Sequence, residues 1–163
     1  FSAPCADQLA ALMRQHAAVI QNLVQRADQL ARELQARPRP LVLCHNDIHA
    51  GNLLFTADGP LSIVDWDAPL LAPRERDLGL PGGCDLWNRS EDLACFFEGY
   101  GQAKLDRTAL AYYRSERVIQ DMAEFGKQLF LSTAGGADRE QALVYFASNF
   151  LPGHEIDLAN QTG

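Results

Sequence analysis

A chain of 163 residues, 47% hydrophobic and 21% charged, falls in the ordinary globular range and is long enough to bury one sizeable core, so a single domain over residues 1–163 is the default expectation. Fourteen basic residues against 21 acidic ones leave a formal charge of −7, which argues against nucleic acid as a partner and tolerates, or attracts, a cationic small molecule. No apolar run approaches bilayer length, no export signal opens the chain, and Cys5, Cys44, Cys84 and Cys95 form no C-x-x-C pair, so a reduced, cytoplasmic protein with no membrane role is expected.

The chain opens on Phe1 rather than Met, which suggests a fragment or a processed product. Leu9, Leu12, Met13, Ile20, Leu23, Val24, Leu30 and Leu34 recur at three-and-four spacing and predict one long amphipathic helix over about residues 6 to 36. Arg37 to Pro40, "RPRP", ends it. The period then changes. "LVLCH" reads as a short buried strand, and "NLLFT", "ADGP", "LSIVDW" as two strands joined by a turn at Asp58-Gly59.

After Trp66 an irregular, proline-punctuated loop, "DAPLLAPRERD", leads into three helical stretches. The first contains "SEDLACFFEGYG", with Ser90 as its N-cap. The second starts at Asp106 and runs through "DRTALAYYRSERVIQDMAEFGKQLFL". The third spans about Asp138 to Phe150, opens with Asp138 and Gln141 in capping-box spacing, and stops at "LPG". The expected fold is α+β, mostly α-helical, with a small three-strand insert that carries the polar chemistry.

That chemistry is concentrated in "HNDIHAGN", His45 to Asn52, between two apolar runs. Burying polar groups without partners costs a few kcal/mol each, so the cluster is either a hydrogen-bonded turn or a working site. Asp47 and Asn52 stand five apart on a loop after a strand, and Asp65 ends the later strand that the turn at Gly59 brings back. Taken singly, each acid reads as a cap or turn residue. Taken together they form an oxygen set that suits phosphoryl transfer, which needs a carboxylate to take the proton of the attacking hydroxyl and oxygen ligands to hold magnesium against the phosphates.

"HNDIHAGNLL" followed by "SIVDWD" resembles the catalytic loop and metal-binding loop of the aminoglycoside phosphotransferase family, relatives of the protein kinases, whose own versions are H-R-D-x-x-x-x-N and D-F-G. "DWDAPLLAPRERDLGLPGG", "FFEGYG" and "ALAYYRSERVIQDMAEF" are most similar to its spectinomycin-phosphotransferase-like members, and the match runs from about Leu41 to Pro152. The resemblance implies the C-terminal lobe of a kinase-like fold. It makes Asp47 the catalytic base, Asn52 and Asp65 magnesium ligands at the nucleotide, and Asp67 a helper for a second ion. It makes His45 and Asp77 braces of the loop, while His49 itself reads either as a brace or as a residue at the phosphates. ATP or GTP is the implied phosphate donor, and an aminoglycoside-like or aminocyclitol alcohol the implied acceptor, a chemistry of antibiotic resistance.

Two further readings compete with the kinase. His45, Asp47, His49, Asp65 and Asp67 could build a transition-metal site for a hydrolase, or the chain could be a non-catalytic binding module. Asp85, Glu91, Asp92, Glu116, Asp121 and Glu124 include candidates for contact with an amine-bearing substrate, but as solvated helix faces or partners of Arg114 and Arg117 they need no such role. Trp66 is expected to pack against the core, and Trp87 to line a cleft or seal a helix joint. No G-x-G-x-x-G occurs, and the lysines are Lys104 and Lys127, neither on a strand. The nucleotide-gripping N-terminal lobe is thus expected to be missing, with negligible kinase activity from these residues alone and an exposed apolar face prone to self-association.

Overall fold

The structure is a computed structural model that describes residues 4–57, 59–79, 89–101, 103–132 and 136–161. Its N-terminal helical stretch is two helices rather than the one expected: α1 (Pro4–Gln15) and α2 (Ala17–Gln35). They meet at His16, whose φ of −103° and ψ of 15° leave the helical range while its amide still donates to the Leu12 carbonyl at 2.9 Å. The His16 ring stacks on Phe150, with centroids 4.0 Å apart. This joint lets α1 and α2 follow different partners, although the apolar spacing runs through it unbroken.

The strand region holds four short strands where three were expected: β1 (Val42–Cys44), β2 (Leu53–Leu54), β3 (Ser62–Ile63) and β4 (Leu70–Ala72). They form two separate antiparallel pairs, β1 with β4 and β2 with β3, so the expected hairpin β2–β3 is carried as an excursion between β1 and β4. β4 lies inside the stretch read as an irregular loop. Its three apolar residues sit between Pro69 and Pro73, too short a run to show a period. Gly59 donates its amide to the Thr56 carbonyl at 3.3 Å within the hairpin turn, while Asp58 lies outside the described residues.

A four-residue helix, α3 (Glu75–Leu78), follows. In α4 (Ser90–Tyr100), Ser90 is the first helical residue and not the cap; Arg89 holds the cap position in extended conformation with no side-chain capping hydrogen bond. The central helix α5 (Arg107–Leu131) starts as expected, with the Asp106 carboxylate accepting the Ala109 amide at 3.1 Å. α6 (Gly136–Ser148) begins before Asp138, which therefore lies inside the first turn, where its charge complements the helix dipole without acting as the cap. "LPG" does stop α6, but the chain turns helical again in α7 (Glu155–Gln161).

α5 organises the molecule, with α1, α2, α3, α6 and α7 all packed against it. Leu9, Leu23, Val118, Met122, Leu129, Phe146 and Ile156 form the buried cluster at the centre of these helices. Fully burying an apolar side chain of this size stabilises by roughly 1.5–3 kcal/mol, so this helical cluster holds most of the apolar stabilisation. The strand face is different: Leu43 and Leu71, direct cross-strand partners, are 64% and 68% exposed. No helix among the described residues is long and apolar enough to cross a membrane.

Candidate functional site

β1 delivers the chain to His45, and the loop that follows is held from beneath by α3. Asp77 accepts the His45 amide on Oδ2 at 2.7 Å and the Asn46 amide on Oδ1 at 2.8 Å, so one carboxylate satisfies two consecutive backbone donors. Asn46 has φ of 76°, a left-handed conformation that asparagine tolerates better than most residues, and its side-chain oxygen accepts from Arg76. The buried His45 ring ties this loop to the hairpin. Its Nδ1 accepts the Asp47 amide at 3.3 Å and its Nε2 donates to the Val64 carbonyl at 2.8 Å, an arrangement that places the proton on Nε2. Asp77 and His45 therefore brace the loop.

The His45 ring also meets Trp66 edge-on at 4.5 Å. Trp66 does not pack into the core as expected: it is 45% exposed and donates from its indole nitrogen to the Ile63 carbonyl at 3.0 Å. Trp87 and Asp85 lie outside the described residues.

Asn52 is buried and donates its side-chain amide to the Asp47 carbonyl at 2.9 Å, closing the loop across five residues. Its own carbonyl accepts the Val64 amide at 3.0 Å, one step beyond the Leu53–Ile63 pair of the hairpin. This register sets Asn52 opposite Val64, with Asp65 next in the chain. Asp65 is exposed and has φ of 68°, and Asp67 follows on an exposed bend. Committing the Asn52 nitrogen to the loop leaves its oxygen as the atom that could ligate, and with the Asp65 and Asp67 carboxylates it makes an oxygen-only donor set whose chemistry fits a hard cation such as magnesium.

His49 caps the short 3-10 turn Ala50–Asn52 by accepting the Gly51 amide on Nδ1 at 3.1 Å. A Cβ on Gly51 would lie 2.9 Å from the His49 ring, so glycine is what lets that ring fold over the turn. Across the loop, His49 Nε2 is 3.7 Å from Asp47 Oδ2. The hydrolase arrangement does not assemble. Among the described residues no group of three His, Cys, Asp or Glu side chains converges to hold a metal, and both His45 nitrogens are engaged with backbone.

Asp47 faces α5, where Arg117 Nη1 donates to its Oδ1 at 2.7 Å. The same guanidinium donates through Nε to Asp121 at 3.1 Å. Burial pulls the Arg117 pKa down, but the Asp121 and Asp47 charges and hydrogen bonds outweigh it and leave the pKa raised. Burial pushes the Asp121 carboxyl up; the charge and hydrogen bond of Arg117 pull it back, but burial together with the Asp47 and Glu155 charges leaves it raised. Beside them Arg76 pairs with Glu116 and lies 5.4 Å over the Tyr113 ring. Tyr112 donates to the other Glu116 oxygen at 2.8 Å; burial and that bond push its phenol up to about 12.

Two cavities flank the loop, and Ile48 and His49 line both. One, of about 150 Å³, is polar and contains Asp47, Arg76, Glu116, Arg117 and Asp121. The other, of about 710 Å³, is largely apolar, with Val42, Leu53, Leu61, Ile63, Phe96 and Tyr100 in its wall. Of the acids considered as substrate contacts, Glu116 and Asp121 reach the polar cavity and Asp92 the apolar one, whereas Glu124 pairs with Lys127 at 2.5 Å. Arg114 is buried, donates to the Gly79 carbonyl at 2.8 Å, and burial draws its pKa down to about 10.

Arg76 and Arg117 were not foreseen as site residues. The i,i+4 spacing of Arg117 and Asp121 is visible in the sequence, but the bond from Arg117 to Asp47 spans 70 positions and leaves no local signal.

A family model described as the phosphotransferase enzyme family matches residues 1–125. A probable ketoamine kinase of Staphylococcus aureus is 30% identical over 114 residues, which are 68% of this chain and 38% of that protein. A solved structure of spectinomycin phosphotransferase in complex with ADP and spectinomycin superposes with a TM-score of 0.84 at 36% identity, covering 97% of this chain and 49% of that one. The AMP-bound complex of spectinomycin phosphotransferase superposes with a TM-score of 0.81, also at 36% identity, with the same coverage of 97% and 49%. The chain thus spans about half the length of these solved relatives and less than half of the curated one.

Proposed function

The chain belongs to the phosphotransferase enzyme family, and from that premise we propose that it carries the catalytic loop of a small-molecule kinase that moves the terminal phosphate of ATP or GTP to an alcohol. The observation that carries this reading is the place of Asp47, on a braced loop between a polar cavity and an apolar one. The apolar cavity takes the nucleotide base, and the polar one takes the acceptor. Asp47 accepts the hydroxyl proton as the alcohol oxygen bonds to the terminal phosphorus, the bridging P–O bond breaks, and the nucleoside diphosphate leaves with that electron pair. Asn52, Asp65 and Asp67 are the residues that would hold magnesium, which when bound neutralises charge on the phosphates. The relatives' chemistry supports the assignment, one having been solved with ADP and spectinomycin.

For the acceptor, the polar cavity leans toward a cation such as an aminocyclitol or aminoglycoside. Among its described residues Asp47, Asp77, Glu116, Asp121 and Glu155 outnumber Arg76 and Arg117. The exposed face of β1 and β4 is the surface on which the nucleotide-gripping part of such an enzyme packs. Uncovered, that face drives self-association of these residues on their own, which sedimentation would register.

The test is Asp47→Ala in the natural full-length form of the protein, assayed for phosphoryl transfer to aminocyclitols and to neutral alcohols. Turnover is expected to fall by about 10²- to 10⁴-fold, with the thermal shift produced by nucleotide and magnesium retained. Normal turnover in the variant would rule the reading out; a nucleotide-dependent shift with no transfer to any alcohol by the wild type would favour a binding module.

A further inference from the structure

Arg117 lies on the stripe of α5 that turns toward the catalytic loop, together with Tyr113, Gln120 and Asp121. Its guanidinium is held at two points: Nη1 on Asp47 Oδ1 at 2.7 Å and Nε on Asp121 at 3.1 Å. The second oxygen of Asp47 stands 3.7 Å from His49 Nε2, beyond hydrogen-bond range. An ionised carboxylate can accept at about four lone-pair positions, so tying Oδ1 to Arg117 fixes the rotation of the group and presents Oδ2 for a proton.

We propose that Arg117 is a positioning residue that orients the Asp47 carboxylate toward the acceptor hydroxyl, and that Asp121 in turn orients Arg117. The inference rests on the reading of Asp47 as the base. A base held by a third group is the usual geometry of an activated pair, and here the order runs Asp121, Arg117, Asp47. The planar fork of arginine suits this task because it holds two carboxylates in fixed directions at once; a lysine ammonium is a single point on a flexible stem. The guanidinium also withdraws charge from the base. That cost is consistent with its gain lying in orientation, since a misplacement of about 1 Å at a reacting group can cost about 100-fold in rate.

A merely structural strap between loop and α5 would make a different prediction, and kinetics on the natural full-length protein separates the two. Arg117→Met is expected to lower kcat by about 30- to 100-fold while leaving the nucleotide KM within about twofold. Arg117→Lys should recover part of that loss, because it keeps the charge and loses the two-point hold. Asp121→Asn, which leaves Arg117 in place and loosens its far end, should lower kcat by a smaller factor and serves if Arg117→Met folds poorly. In the Asp47→Asn background, Arg117→Met should cause no further loss, since a residue that acts through Asp47 has nothing left to orient. Wild-type kcat in Arg117→Met beside an inactive Asp47→Asn would overturn the positioning role alone, as would a full additional loss in the double variant. Retained turnover in Asp47→Asn would remove the base assignment and the positioning role with it.

Discussion

Asp77 shows how much one carboxylate contributes when it meets the backbone twice. It accepts the amides of His45 and Asn46 at 2.7 Å and 2.8 Å, and the second of these belongs to a residue with φ of 76°. Without it, two adjacent amide donors lose their partner at a point where the backbone is already in a sparsely populated conformation. Hydrogen bonds to a charged acceptor are worth about 1.5–3 kcal/mol each, and the loop is partly open to water, so Asp77→Ala should cost about 3 kcal/mol in urea unfolding at neutral pH. Asp77→Asn should cost less, since the amide keeps one accepting oxygen. A loss under about 1 kcal/mol for Asp77→Ala would mean that water replaces the carboxylate without penalty. The bracing role of Asp77 was legible through the family resemblance. That of Gly51 was not, because the need for glycine arises from the His49 ring that folds over it.

At the scale of elements, the start of α5 is the joint that carries the most. Asp106 caps the helix through Ala109 at 3.1 Å, pairs with Arg39, and donates its own amide to buried Glu75 at 3.0 Å, so α3, the chain before β1 and α5 meet at one residue. Burial raises the Asp106 carboxyl pKa, but the Arg39 bond and charge and the helix amides lower it more, and it ends below the usual value. A depressed folded pKa contributes stability that is present above the unfolded value of about 3.9 and is lost as pH falls through the folded one. Asp106→Ala should therefore cost about 2–3 kcal/mol at pH 7, from the lost cap and the stranded Arg39, and measurably less at pH 3. An equal penalty at both values would show that the charge of Asp106 contributes nothing. Asp106 was readable because a cap is a local signal. The joint at His16, strand β4, and helices α3 and α7 were not, because each is stabilised by a distant partner: His16 by Phe150, β4 by β1 across 28 residues of register, α3 and α7 by packing on α5.

In the molecule as a whole, α5 serves two functions on two faces. Val118, Met122 and Leu129 enter the helical core, while Tyr113, Glu116, Arg117 and Asp121 line the polar cavity beside the loop. The helical core and the polar cavity thus share one helix and lie on opposite sides of it. Phe146 tests that separation. It is 1% exposed in the core formed by α1, α2, α5, α6 and α7, so Phe146→Ala should cost about 3–5 kcal/mol through lost burial and the cavity left behind. A packed interior closes only partly around such a void, and the gap lies on the side of α5 away from Asp47, so the loop braced by Asp77 and His45 should keep its geometry. The expected result in the natural full-length protein is a fall in melting temperature with kcat per folded molecule changed by less than about twofold. If kcat instead fell in step with stability, strain would be crossing α5 from the core to the loop, and the helix would be transmitting between its faces rather than separating them.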